Sequence, residues 1–321
     1  MDASRPLGKS VLKVLLGLVF IVSALLKVVG IDRFEIYVYS YHIFSLNFSF
    51  LVARAAIILE LVLGIGLVSH TLHKLYWWGS VAMLGSYTLL LIYALTIGRT
   101  DSCHCFGDYL QLDPKQSLIK NGVLMLLFLL IYRMESKETP FRWLILCLAI
   151  MASSIGVFVA SPPDNLTSNS DPEQNLQVEL FEEMLDTTPL DSLNLKEGKQ
   201  VVCFFSTSCE MCQMAAQKLS LMQRFYGFPP ENITFVFMGN EEGKEKFYEL
   251  SESARYRDVL YPDVARLLKA INGNLPVVVL LEDGEVVHEY GFRNMNEEEI
   301  KLFFTRADEE NRRFGLIGFP K

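Results

Sequence analysis

The chain has 321 residues, 51% of them hydrophobic and 21% charged, with a mean hydropathy of +0.27. Those values are too apolar for an ordinary soluble protein, and the length leaves room for two domains. Up to residue 160 there are thirteen Lys and Arg against nine Asp and Glu; beyond it there are sixteen against twenty-eight, so the net charge of −8 sits in an acidic second half that argues against a nucleic-acid partner.

Taken in order, the first half is a series of apolar runs. Arg5 and Lys9 precede the first, at 11–29. No small-residue cleavage site follows it and further runs come after, so it is read as a membrane span rather than a signal peptide. Further spans are expected at 48–68, 75–97, 117–132 and 142–160, each near the roughly 20 residues that cross a bilayer core. Basic residues cluster at the N-terminus (Arg5, Lys9, Lys13), at His70, His73 and Lys74, and at Arg133, Lys137 and Arg142. By the positive-inside rule these flanks are cytoplasmic. The loops at 30–47 and 98–116, and everything after the fifth span, then face outward. The expected location is the bacterial cytoplasmic membrane, with the C-terminal half in the periplasm or exterior. Trp77 and Trp78 are expected to anchor a membrane interface.

Residues 161–174, rich in Pro, Ser, Asn and Asp, are a linker between a membrane domain at 1–160 and a second domain at 175–321. The second domain is expected to begin with a short strand at 177–180. A continuous apolar run at 199–206 is a buried strand, 213–226 a helix, and 232–238 a strand. Helices follow at 241–253 and 263–269. A strand opens at Leu275-Pro276, turns at Asp283-Gly284 and returns at 285–290, and a helix at 296–304 closes the domain.

Four of the six cysteines come in two close pairs. Cys209 and Cys212, in Cys209-Glu210-Met211-Cys212, lie between the strand and the helix. There the helix dipole and free N–H groups favour a thiolate over a thiol. A Cys-x-x-Cys in that setting points to redox chemistry. A structural zinc site needs four ligands, and this half offers no second pair or well-placed His. Cys103 and Cys105, with His104 between them, lie in the outward loop after the third span. Two cysteines one residue apart can close a strained, labile disulfide. A fixed disulfide and soft-metal binding are the competing readings. Cys147, in the fifth span, and Cys203, in a strand, are expected to be small buried hydrophobes.

The order of elements from 175 to 306, with Cys209-x-x-Cys212 and Leu275-Pro276, resembles the thioredoxin fold. The resemblance implies a cis Pro276 packed against the cysteines beside the substrate strand. That family often carries Trp before its first cysteine, where this chain has Ser208. Residues 8–135 resemble the DoxX-like membrane proteins and, within them, the MauE branch. The matching features are Ser23 to Lys27, Phe34, Tyr39, Glu60 before Gly64, and Cys103-His104-Cys105-Phe106-Gly107. That branch is associated with thiol–disulfide chemistry outside the cytoplasmic membrane, including disulfide formation in methylamine dehydrogenase.

The expected architecture is therefore an α-helical membrane bundle of four to five spans followed by an α/β thioredoxin-like domain. The expected function is a membrane-bound thiol–disulfide oxidoreductase, with Cys209, Cys212, Cys103, Cys105 and Pro276 as its catalytic residues. Its partners would be extracytoplasmic thiol or disulfide proteins and the lipid bilayer. No metal is expected. Lys27, Arg54 and Glu60, ionisable groups within or at the edge of spans, are either structural pairs, Arg54–Glu60 or Lys27–Glu60, or the polar lining of a site for a membrane quinone or a proton path. The alternatives are a copper-type metal carrier and a non-catalytic scaffold with a degenerate thioredoxin domain.

Overall fold

The structure, a computed structural model, describes residues 4–99, 112–132, 141–162, 176–187 and 189–305. The chain divides into two compact units, Met1–Pro163 and Asp164–Lys321.

The first unit is helical: α1 (Ser4–Val29), α2 (Ile31–Tyr39), α3 (Leu46–Val68), α4 (His73–Thr96), α5 (Pro114–Ile131) and α6 (Arg142–Ala160). All but α2 are long and apolar enough to cross a membrane, and the apolar spans, which begin at Gly8 in α1, end within three residues of the expected ones. Their outward faces remain apolar, as at Leu15, Val22, Leu126 and Val159, which suits hydrocarbon rather than water. α1 and α3 approach closely where both carry glycine. A Cβ on Gly17 would stand 2.8 Å from the Gly64 carbonyl oxygen, and one on Gly64 would stand 2.9 Å from that of Gly17. Small residues at a helix crossing let backbones meet where there is no hydrophobic drive to association.

The C-terminus of α5 leaves carbonyls without helical partners, and α4 satisfies two of them. The Trp77 indole N–H donates to the Phe128 carbonyl (2.9 Å), and His73 Nε2 lies 3.0 Å from that of Ile131. Trp77 is therefore a buried bolt between helices rather than an interface anchor; only Trp78, 59% exposed, remains on the surface. At its other end α5 starts with a capping box, Asp113 accepting from the Gln116 N–H and Gln116 answering, with Pro114 in the first turn. Cys147 also differs from expectation. It lies on the exposed outer face of α6, so its apolar surroundings are lipid, not core.

The second unit contains α7 (Val178–Leu185), β1 (Lys199–Ser206), α8 (Glu210–Tyr226), β2 (Ile233–Met238), α9 (Glu241–Ser251), β3 (Arg257–Leu260), α10 (Val264–Ala270), β4 (Val277–Glu282) and β5 (Glu285–Tyr290), and residues 297–305 form α11. The five described strands make one sheet in the order β3-β2-β1-β4-β5. β3, β2 and β1 run parallel, and β4 and β5 add antiparallel pairs, with Val201 opposite Ile233 on one side of β1 and Leu280 on the other. Val202, Phe204, Val236, Val277 and Val279 pack with Phe181, Met184 and Leu185 of α7 and with α10. On the opposite face Phe205, Phe235 and Phe237 pack against Phe247 and Tyr248 of α9. Strand direction, crossover helices and the terminal hairpin give the thioredoxin fold.

Two local expectations are corrected. Residues 177–180 start a helix, not a strand, because Phe181, Met184 and Leu185 recur at helical spacing and all three are buried. The edge strand β3 was not expected. It is four residues long, half-buried and opens on charged Arg257 and Asp258, so it lacks the apolar alternation that marks a strand. The β4–β5 turn falls as expected on Asp283 and Gly284, both at positive φ (52° and 88°), as the tight hairpin requires.

Candidate active site: a dithiol at a helix start

β1 is central and continuous in hydrophobicity, and it delivers the chain at Ser206 to the carboxyl end of the sheet. There the backbone turns: the Thr207 N–H donates to the Met238 carbonyl (3.0 Å) and the Cys209 N–H to that of Ser206 (3.1 Å). Thr207 is held against the start of α9 by close approach to two glycines. A Cβ on Gly239 (φ +141°) would meet Thr207 Oγ1 at 2.2 Å, and one on Gly243 would meet it at 2.7 Å. Cys209 is the N-cap of α8, with extended backbone, and its Sγ accepts the Cys212 N–H at 3.2 Å.

This geometry separates the two sulfurs chemically. The hydrogen bond from the Cys212 thiol, reinforced by the backbone N–H groups of Cys212 and Met211, pulls the Cys209 thiol down to about 6, against partial burial and the charge of Glu210. Cys212 is pushed far up, first by its burial and then by its bond to Cys209. The result is one half-exposed thiolate backed by one buried, neutral thiol. Cys203 lies in the strand interior, fully buried and pushed up by desolvation, which leaves it inert.

The Leu275–Pro276 peptide is cis. Phe204 pairs with Val277, so the register continued by one residue brings Pro276 opposite Phe205, at the sheet end where α8 begins. The loop after β5 is tied to α8 by the buried Lys218, whose ammonium donates to the Phe292 carbonyl (3.1 Å) and stands 3.7 Å from its ring centre. Cys103 and Cys105 lie outside the described residues.

In the membrane unit the three predicted ionisable residues fall into two separate pairs. Lys27 and Glu60 are joined at 2.6 Å, and Ser23 donates to the same carboxylate at 2.8 Å; Lys27 and Glu60 are 1% and 5% exposed. Arg54 does not pair with Glu60. It pairs with Glu35 on α2, a buried acid that the sequence reading missed. Arg54 also donates to the carbonyls of Phe50, Ser161 and Pro162, and so closes the C-terminus of α6. The spacing Ile31, Phe34, Glu35, Tyr39, which lies on one helical face, was the available signal for Glu35. Among the described residues no three His, Cys, Asp or Glu side chains gather to hold a metal.

Comparison with known proteins finds a family match within the first unit. Residues 7–133 match the family described as methylamine utilisation protein MauE. Protein TlpB of Flavobacterium psychrophilum is 25% identical over 281 residues, which span 72% of this chain and 76% of that protein. Among solved structures, a secreted Mycobacterium tuberculosis disulfide oxidoreductase described as homologous to E. coli DsbE is 16% identical, covering 36% of this chain and 85% of that one, with a TM-score of 0.27. A thiol:disulfide interchange protein from Bacteroides sp. is 19% identical, covering 37% and 80%, with a TM-score of 0.28. The chain thus joins a MauE-like membrane unit of five long apolar helices to a unit of thioredoxin fold that carries a Cys-x-x-Cys at a helix start.

Proposed function

We propose that the chain is a membrane-bound thiol–disulfide oxidoreductase that relays disulfides between Cys209–Cys212 and Cys103–Cys105. One observation carries the reading: Cys209 is a half-exposed N-cap thiol lowered to about 6, with a buried neutral Cys212 behind it. A thiolate is the attacking species in exchange, and a neutral neighbour is the resolving one.

The exchange runs in two balanced steps. The Cys209 thiolate attacks one sulfur of a Cys103–Cys105 disulfide, forming a mixed disulfide and releasing the other cysteine as a thiolate. Cys212 gives its proton to that leaving thiolate and attacks Cys209. The bond between the pairs breaks, the Cys209–Cys212 disulfide closes, and two electrons have moved to the 103/105 pair. The oxidised 209/212 pair then takes two electrons from a client dithiol by the same chemistry in reverse. The lowered Cys209 stabilises the reduced form of its pair, which favours taking electrons from clients over giving them. Pro276 shapes the docking edge for the client strand. A membrane quinone is the proposed final acceptor, because it takes up two electrons and two protons within the bilayer. The proposed location is the bacterial cytoplasmic membrane, with the thioredoxin-fold unit outside the cytoplasm.

The test is Cys212→Ser in the full chain. Without a resolving thiol, Cys209 should accumulate in a mixed disulfide with Cys103, Cys105 or a client, seen as a reducible band and assigned by peptide mass. If no such adduct forms, and both pairs keep one redox state across all glutathione ratios, the proposal fails.

A further inference from the structure

The membrane unit contains an apolar cavity of about 120 Å³ walled by α1, α2, α3, α4 and the α2–α3 loop. Its walls include the rings of Phe34, Tyr37, Tyr41, Phe44 and Tyr87, and the side chain of Lys27. Lys27 and Tyr87 are also walls of a second cavity of about 20 Å³, shared with Ser23, Glu60 and Asn121. That volume is room for about one water molecule among polar groups.

We propose that the larger cavity is a binding site for a lipid-soluble quinone. The inference rests on the redox reading above for its purpose, and on the cavity alone for binding. Three observations lead to a ring rather than an acyl tail. First, the cavity, at about 120 Å³, is somewhat smaller than the roughly 150 Å³ in which an apolar cavity binds benzene, so a ring enters edge-first with its substituents toward the open side. Its lining includes Ile43 of the α2–α3 loop, 58% exposed, so the cavity reaches the surface there. Second, five aromatic rings line it, and flat conjugated molecules stack on such rings. Third, Lys27 stands in its wall 1% exposed, paired with Glu60 at 2.6 Å, with its ammonium 5.6 Å from the Phe34 ring centre and 5.1 Å from that of Tyr87. A buried ammonium is costly and marks function. It is the kind of donor a ring carbonyl oxygen takes up, whereas an acyl chain makes no use of it.

The site also lies near the donor pair in sequence. The Arg99 guanidinium stands 5.4 Å from the Tyr37 ring centre and 4.8 Å from that of Tyr41, two of the cavity walls. Cys103 follows Arg99 by four residues, at most about 14 Å of extended chain. A dithiol that closes to a disulfide releases two electrons and two protons, which is what reduction of a quinone to a quinol consumes.

The experiment is a binding titration of decyl-ubiquinone against the purified full chain in phosphatidylcholine nanodiscs, followed by quenching of intrinsic Tyr and Trp fluorescence. Saturable one-to-one binding is expected. Ala56→Phe, which fills the cavity from α3, should weaken it at least tenfold, and so should Tyr41→Ala, which lies outside the spans. Leu59→Phe on the exposed face of α3 should leave it unchanged. Decanol, which has the tail but no ring, should not compete. If both cavity variants fold and bind as the parent does, or if decanol displaces the probe at equal concentration, the site is not one for quinone. Repeating the titration in the Cys209→Ser, Cys212→Ser chain separates the two readings. Binding unchanged there shows that the site does not depend on the thiols, and a parent chain that binds but exchanges no disulfide in any assay sinks only the relay. Binding lost while the parent still exchanges disulfides sinks only this site.

Discussion

Cys209 owes its low affinity for a proton to three donors and keeps it against two opponents, so its reactivity is adjustable one neighbour at a time. The thiol hydrogen bond from Cys212 is the largest contribution, and the charge of Glu210 works against it. Alkylation of Cys209 by iodoacetamide, measured against pH in the reduced chain, should therefore rise through a midpoint of about 6 and level off above it. Below the midpoint the thiolate fraction, and with it the rate, falls about tenfold per pH unit. Cys212→Ala removes the strongest donor, so the midpoint should move up toward the ordinary thiol range. Glu210→Gln removes a repelling charge without touching the sulfurs, so the midpoint should move down. A Glu210→Gln midpoint above that of the parent would mean that the backbone, not the local charge balance, sets the thiolate.

Between helices, the sharpest dependence is on Arg54. It is buried, it pairs with the equally buried Glu35, and it donates to the two carbonyls at the end of α6. Arg54→Met should cost about 3–5 kcal/mol, because it removes the buried positive charge that faces the Glu35 carboxylate. Adding Glu35→Gln should restore part of that, and thermal unfolding of the single and double variants in detergent measures the difference. An equal loss in both would mean that the carbonyl contacts, not the ion pair, hold α6. Where α1 crosses α3, Gly64→Leu should cost about 1–3 kcal/mol by overpacking, since the backbone of Gly17 cannot yield as a flexible side chain would. These elements also show how much was legible in advance. The five spans announced themselves by length and hydropathy, and the Cys209 turn by a strand, two cysteines and a helix in succession. α2 was hidden because it is nine residues long and lies in a stretch too polar for a span. Glu35 is hidden with it, which is why the sequence offers Glu60 as a partner for either Arg54 or Lys27. β3 was hidden because edge strands carry charge and little apolar pattern. Pairing across helices is a property of packing, and residues 19 or 33 apart in sequence meet only once the helices are placed.

At the scale of the whole molecule, the proposed relay is a statement about the order of two potentials. Electrons that pass from a client to Cys209–Cys212, then to Cys103–Cys105, then to a quinone must go downhill at each transfer. The 103/105 pair must then be the more oxidising of the two. The lowered Cys209 limits how far apart the pairs can stand, since a stabilised thiolate already raises the potential of its own disulfide. Each pair can be measured alone in the full-length chain, the 209/212 pair in a Cys103→Ser, Cys105→Ser background and the 103/105 pair in a Cys209→Ser, Cys212→Ser background. Equilibration with glutathione buffers, followed by mass-tagging of free thiols, reads each one. The expected result is a 103/105 potential at least about 30 mV above that of 209/212, a tenfold preference for the forward transfer and about 1.4 kcal/mol. The reverse order would turn the flow around, so that the membrane pair would reduce the thioredoxin-fold pair and the chain would supply electrons to its clients instead of removing them.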